Sequence, residues 1–478
     1  MNKLESIFNH GGFIYLALLI LSVAVLFQSP HAPGALSMIE NDNSNFITVA
    51  QNVLRGDVLF KDIADHKGPM VFVMNIWGLL LGNGNLTGIW ILEILSLFVA
   101  CLFTFKTASL FGSKLIALTT TILSIIFIVP ILYGGNLTEE WVLPYLCVAL
   151  YIIVSYLSGH SQRLSVFQLF LLACTGTLAF LFKASYIGIW AAYGCIIAIK
   201  LFRERKIKEL VFAGGMMLLF AGITLLPFWI YFYVHDALYD AYHWVIGFNL
   251  EYSFHYGTWD SILKRTLSIL IGARHLPILV VLTFLLQVIT KDYQKNKDLF
   301  YGTLLAFALT AYSCAIGMQL EHYNIIFAPL LVLPYTYLAN RLNLHSFIQQ
   351  FTFFILMTGS GYLFLTKLMD SRNYNGYFAE DAIKYKKIAN RIQQHTTPHD
   401  TIIGTNEVKR CIYVYADRKC GNKSLGNNYF YHIHEEILTK RPHVFFTTSQ
   451  FGFEAHREFY EVVDRCEEYY IWKRIDKK

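Results

Sequence analysis

The residues able to do chemistry in this 478-residue chain fall in three short clusters. The first reads Glu40-Asn41-Asp42-Asn43-Ser44-Asn45-Phe46 and resumes at Asp62-Ile63-Ala64-Asp65-His66-Lys67-Gly68-Pro69. The second reads Asn136-Leu137-Thr138-Glu139-Glu140-Trp141, and the third Glu321-His322-Tyr323 with Pro329 beyond it. Carboxylates beside Lys and His suit base catalysis on a hydroxyl, with the cations taking up charge that develops on an anionic leaving group. Each residue also has a plainer use. Asp42 fits a helix N-cap ahead of 46–54. Glu139 and Glu140 fit the dipole at a helix start. Lys67 and Lys183 fit side chains that snorkel toward headgroups. Asp62 and Asp65 either bind substrate or brace the loop around Lys67, and His322 serves either phosphate and sugar binding or the membrane interface. Glu93, inside an apolar stretch, is expected to pair within a helix bundle.

The elements that must position these residues are membrane helices. Of the chain, 55% is hydrophobic and 15% charged, against about 25% charged in soluble domains. Blocks at 14–27, 115–132, 142–157, 166–182, 210–234, 276–289, 301–317 and 347–365 are almost free of charge. A soluble helical core would show one polar face per helix; these blocks are apolar all round. With their flanks they approach the roughly 20 residues a span requires, which predicts a polytopic α-helical membrane protein of about eleven transmembrane helices. The first block lacks a small-residue cleavage site and reads as a retained helix. Lys106, Lys114, Arg163, Arg203, Lys291 and Arg341 collect in alternate loops, which places those loops in the cytoplasm. The three reactive clusters then share the extracytoplasmic side and can converge on one pocket. The net charge of +6 reflects that loop asymmetry and gives no indication of nucleic-acid binding.

Two outer loops and a tail stand apart. The first loop, 28–69, carries Phe46, Val49, Ala50, Val53 and Leu54 at helical spacing, expected as a short helix in the membrane interface. Segment 70–81 reads as interfacial or re-entrant. The second loop, 236–264, is rich in Tyr, His and Trp and holds Asn249; its aromatics suit the membrane boundary or sugar stacking alike. Residues 371–478 change composition and predict a small extracytoplasmic α/β domain following a membrane domain of 1–370. Its expected strands are 401–405, 412–416, 443–449 and 469–475. Its expected helices lie around Tyr385, Ile388, Ala389 and Ile392, at 430–438 and at 453–463. Cys411, Cys420 and Cys466 allow one disulfide in that domain. The run His432-Ile433-His434-Glu435-Glu436 lacks a second ligand pair and reads as a solvated helix face. A divalent cation is compatible with the carboxylates, but no ligand set argues for one, and the metal expectation is none.

The pattern Asp42…Phe46…Gly56…Asp62…Asp65-His66-Lys67-Gly68-Pro69 resembles the first-loop signature of GT-C superfamily glycosyltransferases. The branch it is most similar to holds the protein O-mannosyltransferases and lipid A aminoarabinose transferases. Asn136-Leu137-Thr138-Glu139-Glu140…Leu143-Pro144 and His322-Tyr323…Pro329 resemble later motifs of bacterial members, so the likeness spans nearly the whole chain. It implies a bacterial cytoplasmic-membrane enzyme that moves a sugar, outside the cytoplasm, from a polyprenyl-phosphate donor to a glycan, lipid or protein acceptor. It implies Asp42 as the catalytic base and Lys67 as a donor-phosphate contact, with His322, Tyr323 and Lys183 as further donor-phosphate candidates. Glu40, Asp62, Asp65, His66, Glu139, Glu140 and Asn249 complete the set on the acceptor side or behind it. Many relatives follow the aspartate with a second acid; Asn43 stands there here, leaving Glu40 as the neighbouring carboxylate. A transporter or flippase would need polar residues through the whole membrane depth and internal symmetry, whereas the polar clusters here sit on one face and no repeat is visible. A polysaccharide polymerase would work on the same side but is not expected to carry the Asp65–Pro69 run with a terminal α/β domain.

Overall fold

A computed structural model describes residues 11–27, 29–35, 41–132, 134–256, 259–272, 276–316, 320–371, 374–405, 408–425, 433–449 and 453–475. Among these, six helices are long and apolar enough to cross a bilayer: Thr87–Ser109, Lys114–Ile131, Thr138–Leu157, Ala184–Arg203, Ile207–Val234 and Asp292–Ala315. Four shorter apolar helices, Gly11–Leu26, Pro69–Leu81, Val166–Phe182 and Leu279–Ile289, accompany them. The fold is therefore a polytopic bundle, with six full-length spans where the sequence predicts about eleven crossings.

Thr87–Ser109 is the hub, packed against Leu143–Leu157, Gly11–Leu26, Pro69–Leu81 and Lys114–Ile126. Ile207–Val234 lies outside: only Phe232 is buried, while Leu218 and Val211 are 78% and 69% exposed. An apolar helix so exposed is built to face lipid, where burial against protein is not needed.

Two antiparallel helices fix the ends of the bundle. Arg203 donates to both Asp298 carboxylate oxygens at 3.0 and 2.9 Å, which joins the end of Ala184–Arg203 to the start of Lys297–Ala315. The basic loops therefore gather at this end. Lys183 and Ile316 lie at the other, one helix length away, about 28 Å for 19 residues. Helix caps at the basic end are polar side chains: Ser113 accepts from Ile116 N–H at 3.3 Å, Ser165 and Gln168 form a capping box, and Asn296 accepts from Leu299 N–H at 3.0 Å. These caps satisfy the orphan donors of the first turn where water is close at hand.

The tail folds around a five-stranded sheet of order β2-β1-β3-β5-β4, with β1 Thr401–Gly404, β2 Lys419–Cys420, β3 Val444–Thr447, β4 Tyr460–Cys466 and β5 Tyr469–Arg474. β2, β1 and β3 run parallel; β5 pairs antiparallel with β3 and β4, with an irregularity between Val462 and Asp464. Phe445 stacks on Trp472 at 5.2 Å in its core. Helix Tyr374–Gln394 buries Tyr385, Ile388, Ala389 and Ile392, as their spacing predicts.

Several local expectations are corrected. Residues 412–416 are helical, within Cys411–Ala416, because this β-favouring stretch is buried all round against helices Tyr374–Gln394 and Asn41–Leu54. Segment 453–463 splits into a short 3₁₀ turn, Glu454–Glu458, and strand β4, whose pairing with β5 overrides its helical spacing. The 236–264 segment is helical, running Leu238–Tyr242, a π turn His243–Gly247, and Phe248–Tyr256 before Trp259–Gly272. All eight cysteines are free thiols, Cys411, Cys420 and Cys466 included. Helix Asn41–Leu54 does not keep a wet polar face in the interface: Asn43, Ser44, Asn45, Thr48 and Asn52 are buried along with Phe46 and Ala50. Protein covers both sides, membrane helix Pro69–Leu81 below and the tail above.

Candidate active site

At the end opposite the basic loops, a cavity of about 350 Å³ opens between the 41–69 segment, the 238–256 helix, the ends of two spans and the tail. Asp42 lies in the first turn of Asn41–Leu54, so it is part of the helix rather than a cap ahead of Phe46. Its side chain keeps 34% exposure at the cavity wall.

The Asp65–Pro69 run forms a tight bend. Asp65 accepts from Asn45 Nδ2 at 3.3 Å and from the Lys67 backbone N–H at 3.0 Å. Asn249 donates to the His66 carbonyl at 2.7 Å, which pins the bend to the π-turned helix. Gly68 N–H donates to the Phe182 carbonyl at 3.0 Å, and a Cβ at Gly68 would run into the Leu181 backbone. Only glycine lets the two chains approach so closely. Pro69 then starts the next helix, where its missing N–H costs nothing. This contact sets Lys67 beside Lys183, the residue after Val166–Phe182.

Lys67 is 6% exposed, 3.9 Å from Asp42 Oδ2, and its ammonium lies 2.8 Å from His66 Nε2. An ammonium has no lone pair, so it is the donor and Nε2 the acceptor. The His66 proton is then on Nδ1, 3.4 Å from Asp65 Oδ1. Burial and the adjacent Lys67 charge push His66 down to about 4, which keeps the ring neutral. For Asp42, desolvation pushes upward, but the combined field of Lys67, His322, His66 and Arg410 wins and holds the carboxyl below its ordinary value. Lys67 is likewise held charged, Asp42 and Asp65 overcoming the cost of burial.

Across the cavity Lys183 Nζ rests 3.9 Å from the Tyr323 ring centroid, a cation–π contact. Glu139 lies just behind, buried, accepting from Thr138 Oγ1 at 3.0 Å and from the Tyr186 hydroxyl. His322, half-buried beside Tyr323, is pushed down by burial against the pull of Glu139 and Asp42.

Asp42, Lys67, Lys183, Tyr323, Asp65, His66 and Asn249 thus share one cavity, with Glu139 and His322 immediately behind it. Two of the expected residues lie off the cavity wall. Asp62 faces away and caps its own loop, accepting from Val58 N–H at 2.8 Å. Glu140 points into the bundle beside Glu93, because successive residues at a helix start diverge by about 100°. Glu40 and His432 lie outside the described residues. Among the described residues no group of three or more His, Cys, Asp or Glu could hold a metal ion. Sequence reasoning missed Asn45, Arg410, Ser424 and the wall of Trp244 and Phe248. The aromatic richness of 236–264 signals that wall; nothing local signals Arg410.

No protein-family model and no curated protein matches the chain. Solved structures do. ArnT from Cupriavidus metallidurans bound to undecaprenyl phosphate superposes with a TM-score of 0.65 at 12% identity, over 97% of this chain and 98% of that one. The chain has the GT-C fold. The apo state of the same ArnT gives 0.62 at 13% identity, over 96% and 97% of the two chains. The archaeal oligosaccharyltransferase AglB from Archaeoglobus fulgidus, in complex with an inhibitory peptide and a dolichol-phosphate, gives 0.57 at 10% identity, over 91% of this chain and 69% of that one. The GT-C fold expected from the motifs is thus present, tail domain included.

Proposed function

We propose that this protein is a bacterial cytoplasmic-membrane glycosyltransferase that moves a sugar from a polyprenyl-phosphate donor to an extracytoplasmic glycan, lipid or protein acceptor. The observation that carries the reading is the Lys67–Asp42 pair at the head of the cavity, a general base and a phosphate-seeking cation 3.9 Å apart. The fold adds support, since one structure sharing it is bound to undecaprenyl phosphate and another to dolichol-phosphate. The basic loops would face the cytoplasm and the cavity and tail the outside.

The reaction is a single displacement with inversion. The acceptor hydroxyl gives its proton to Asp42 as its oxygen bonds to the anomeric carbon. The bond from that carbon to the phosphate oxygen breaks, and its electron pair leaves with the polyprenyl phosphate. Lys67, with Lys183, neutralises the charge gathering there. Lys67 serves two anions in turn. In the free protein it opposes Asp42 and holds its basicity down; a donor phosphate drawing the ammonium away would release Asp42 as a stronger base. Donor binding would therefore arm the base before an acceptor is committed.

The test is native mass spectrometry of the purified protein in its co-extracted lipid. A bound polyprenyl phosphate or its sugar conjugate is expected. Its absence from wild-type protein, together with failure to bind added undecaprenyl phosphate, would sink the reading.

A further inference from the structure

The tail is joined to the first outer loop by a continuous seam. The Asn52 side chain exchanges two hydrogen bonds with the Cys420 backbone, accepting its N–H at 3.0 Å and donating to its carbonyl at 2.7 Å. Ala64 N–H donates to the Lys423 carbonyl at 2.7 Å, and Ala64 and Ser424 form a β-bridge. Arg55 pairs with Asp417, Lys419 with Asp57, and Lys423 Nζ lies 3.7 Å from Asp240. A seam with this many polar contacts fixes the tail against the loop that bears Asp42 and Lys67. It also fixes Arg410, which directly precedes helix Cys411–Ala416; that helix packs on Asn41–Leu54.

Arg410 is half-buried and lines the same cavity, within electrostatic reach of Asp65 and Asp42. Of the described lining residues, three are cations (Lys67, Lys183 and Arg410) and two are carboxylates (Asp42 and Asp65), with His66 neutral. Three cations thus meet at one cavity from three parts of the chain, and the third comes from the tail.

Resting on the function proposed above, we infer that Arg410 is a substrate-binding residue whose guanidinium holds a phosphate or carboxylate of a substrate, so that the tail domain completes the site. The planar fork offers paired donors that match an oxyanion, which the ammonium groups of Lys67 and Lys183 cannot do. Two sources supply that chemistry: the donor's own phosphate, or an anionic group on the acceptor.

The experiment uses full-length protein in nanodiscs, as wild type, Arg410→Ala and Arg410→Lys, with unchanged thermal midpoint as the check that the tail stays docked. Undecaprenyl phosphate binding is measured by native mass spectrometry. Inorganic phosphate binding to lipid-saturated protein is measured by tryptophan fluorescence, since Trp244 lines the cavity. Arg410→Ala is expected to weaken one of the two probes about tenfold, the size of one lost charge-assisted contact, with Arg410→Lys recovering part. Weaker lipid binding assigns the anion to the donor. Unchanged lipid binding with weaker inorganic phosphate binding assigns it to the acceptor. If both probes stay within about twofold of wild type, the inference is overturned. The outcomes separate from those of the functional reading: a wild-type protein that binds no undecaprenyl phosphate sinks that reading, and inorganic phosphate is then titrated against the same proteins without lipid, where the difference between wild type and Arg410→Ala still reports on Arg410.

Discussion

Glu139 and Glu140 are neighbours in sequence and belong to two different buried polar clusters. Glu139 faces the cavity cluster, where carboxylates and cations alternate: Asp42 with Lys67, Glu139 within reach of Lys183 and His322. Glu140 faces a cluster inside the bundle, where Glu93 accepts from Asn136 N–H at 2.5 Å, from Ser29 Oγ at 3.4 Å and pairs with His31 Nδ1 at 3.2 Å. Asn75 and Asn136 exchange amide hydrogen bonds at 3.0 and 2.8 Å beside it. No lysine or arginine belongs to that second cluster among the described residues, and it is not part of the lining of the cavity above. What separates a reactive cluster from a structural one here is cationic charge at a cavity wall, rather than burial or acidity. The structural cluster still serves the site. Gly134, Gly135 and Asn136 all take positive φ, 90°, 94° and 55°, and Glu93 clamps the turn that aims Glu139 at the cavity.

The largest expected contrast is between the two clusters' central acids in a transfer assay. Asp42→Asn retains shape and removes the base, so transfer should fall at least about 10²-fold with insertion and thermal midpoint unchanged. Near-normal turnover would move the base elsewhere and erase the distinction between the clusters. Lys67→Ala comes next. It removes the shared cation, and donor binding should weaken about tenfold or more while acceptor affinity holds. Lys67→Arg should restore part of the activity, because charge returns without the compact ammonium that also reaches His66. A change confined to acceptor affinity would reassign the donor phosphate to Lys183.

How much of this division is legible in the sequence follows from what each feature depends on. The spans and the tail announce themselves through composition and local spacing, while the GT-C fold is what the resemblance of the motifs implies. Asp42 and Lys67 follow from that resemblance, and Lys183 stands out as a charge at a helix end in an apolar chain. The partition of Glu139 from Glu140 was not legible, because it depends on the direction of a turn set by Glu93 more than forty residues away. Arg410 was invisible for the same reason: it reaches the cavity only through the Asn52–Cys420 seam, a contact across the whole chain. The 412–416 stretch misled because its β-branched and aromatic residues report burial on a strand or in a tight helical niche equally well.

The structural cluster should respond in stability rather than in chemistry. Glu93→Ala leaves the buried Asn136 N–H without its acceptor, a loss of about 1–3 kcal/mol, seen as a lower midpoint with parallel loss of activity as Glu139 loses its aim. Glu140→Gln should cost less than that, because it keeps the shape and one oxygen acceptor beside Glu93 and deletes no group on which the Asn136 N–H relies. If Glu140→Gln instead abolished transfer while Glu139→Gln did not, the assignment of the two acids to their clusters would be reversed.

The smallest effect sharpens the cavity cluster by pH. His66 is held neutral, its folded value about 4 against 6.5 for the free side chain. A group whose folded value is depressed binds fewer protons than in the unfolded chain between those two values, so its contribution to stability is complete above about 6.5 and is lost as pH falls toward about 4. Protonating His66 would also set a second positive charge 2.8 Å from the Lys67 ammonium and remove the acceptor that holds it. The Asp65–Pro69 bend should therefore loosen in acid before the bundle does. Hydrogen exchange at residues 65–68 is expected to accelerate as pH drops through that window, after correction for the intrinsic rate, with the spans unaffected. His66→Gln keeps an acceptor for Lys67 without a titrating ring, and should flatten that acceleration while leaving protection at neutral pH nearly as before. A bend whose acid sensitivity survives His66→Gln would place the titrating group elsewhere, and His322, also held down by burial although Glu139 and Asp42 are near, is the next residue to substitute.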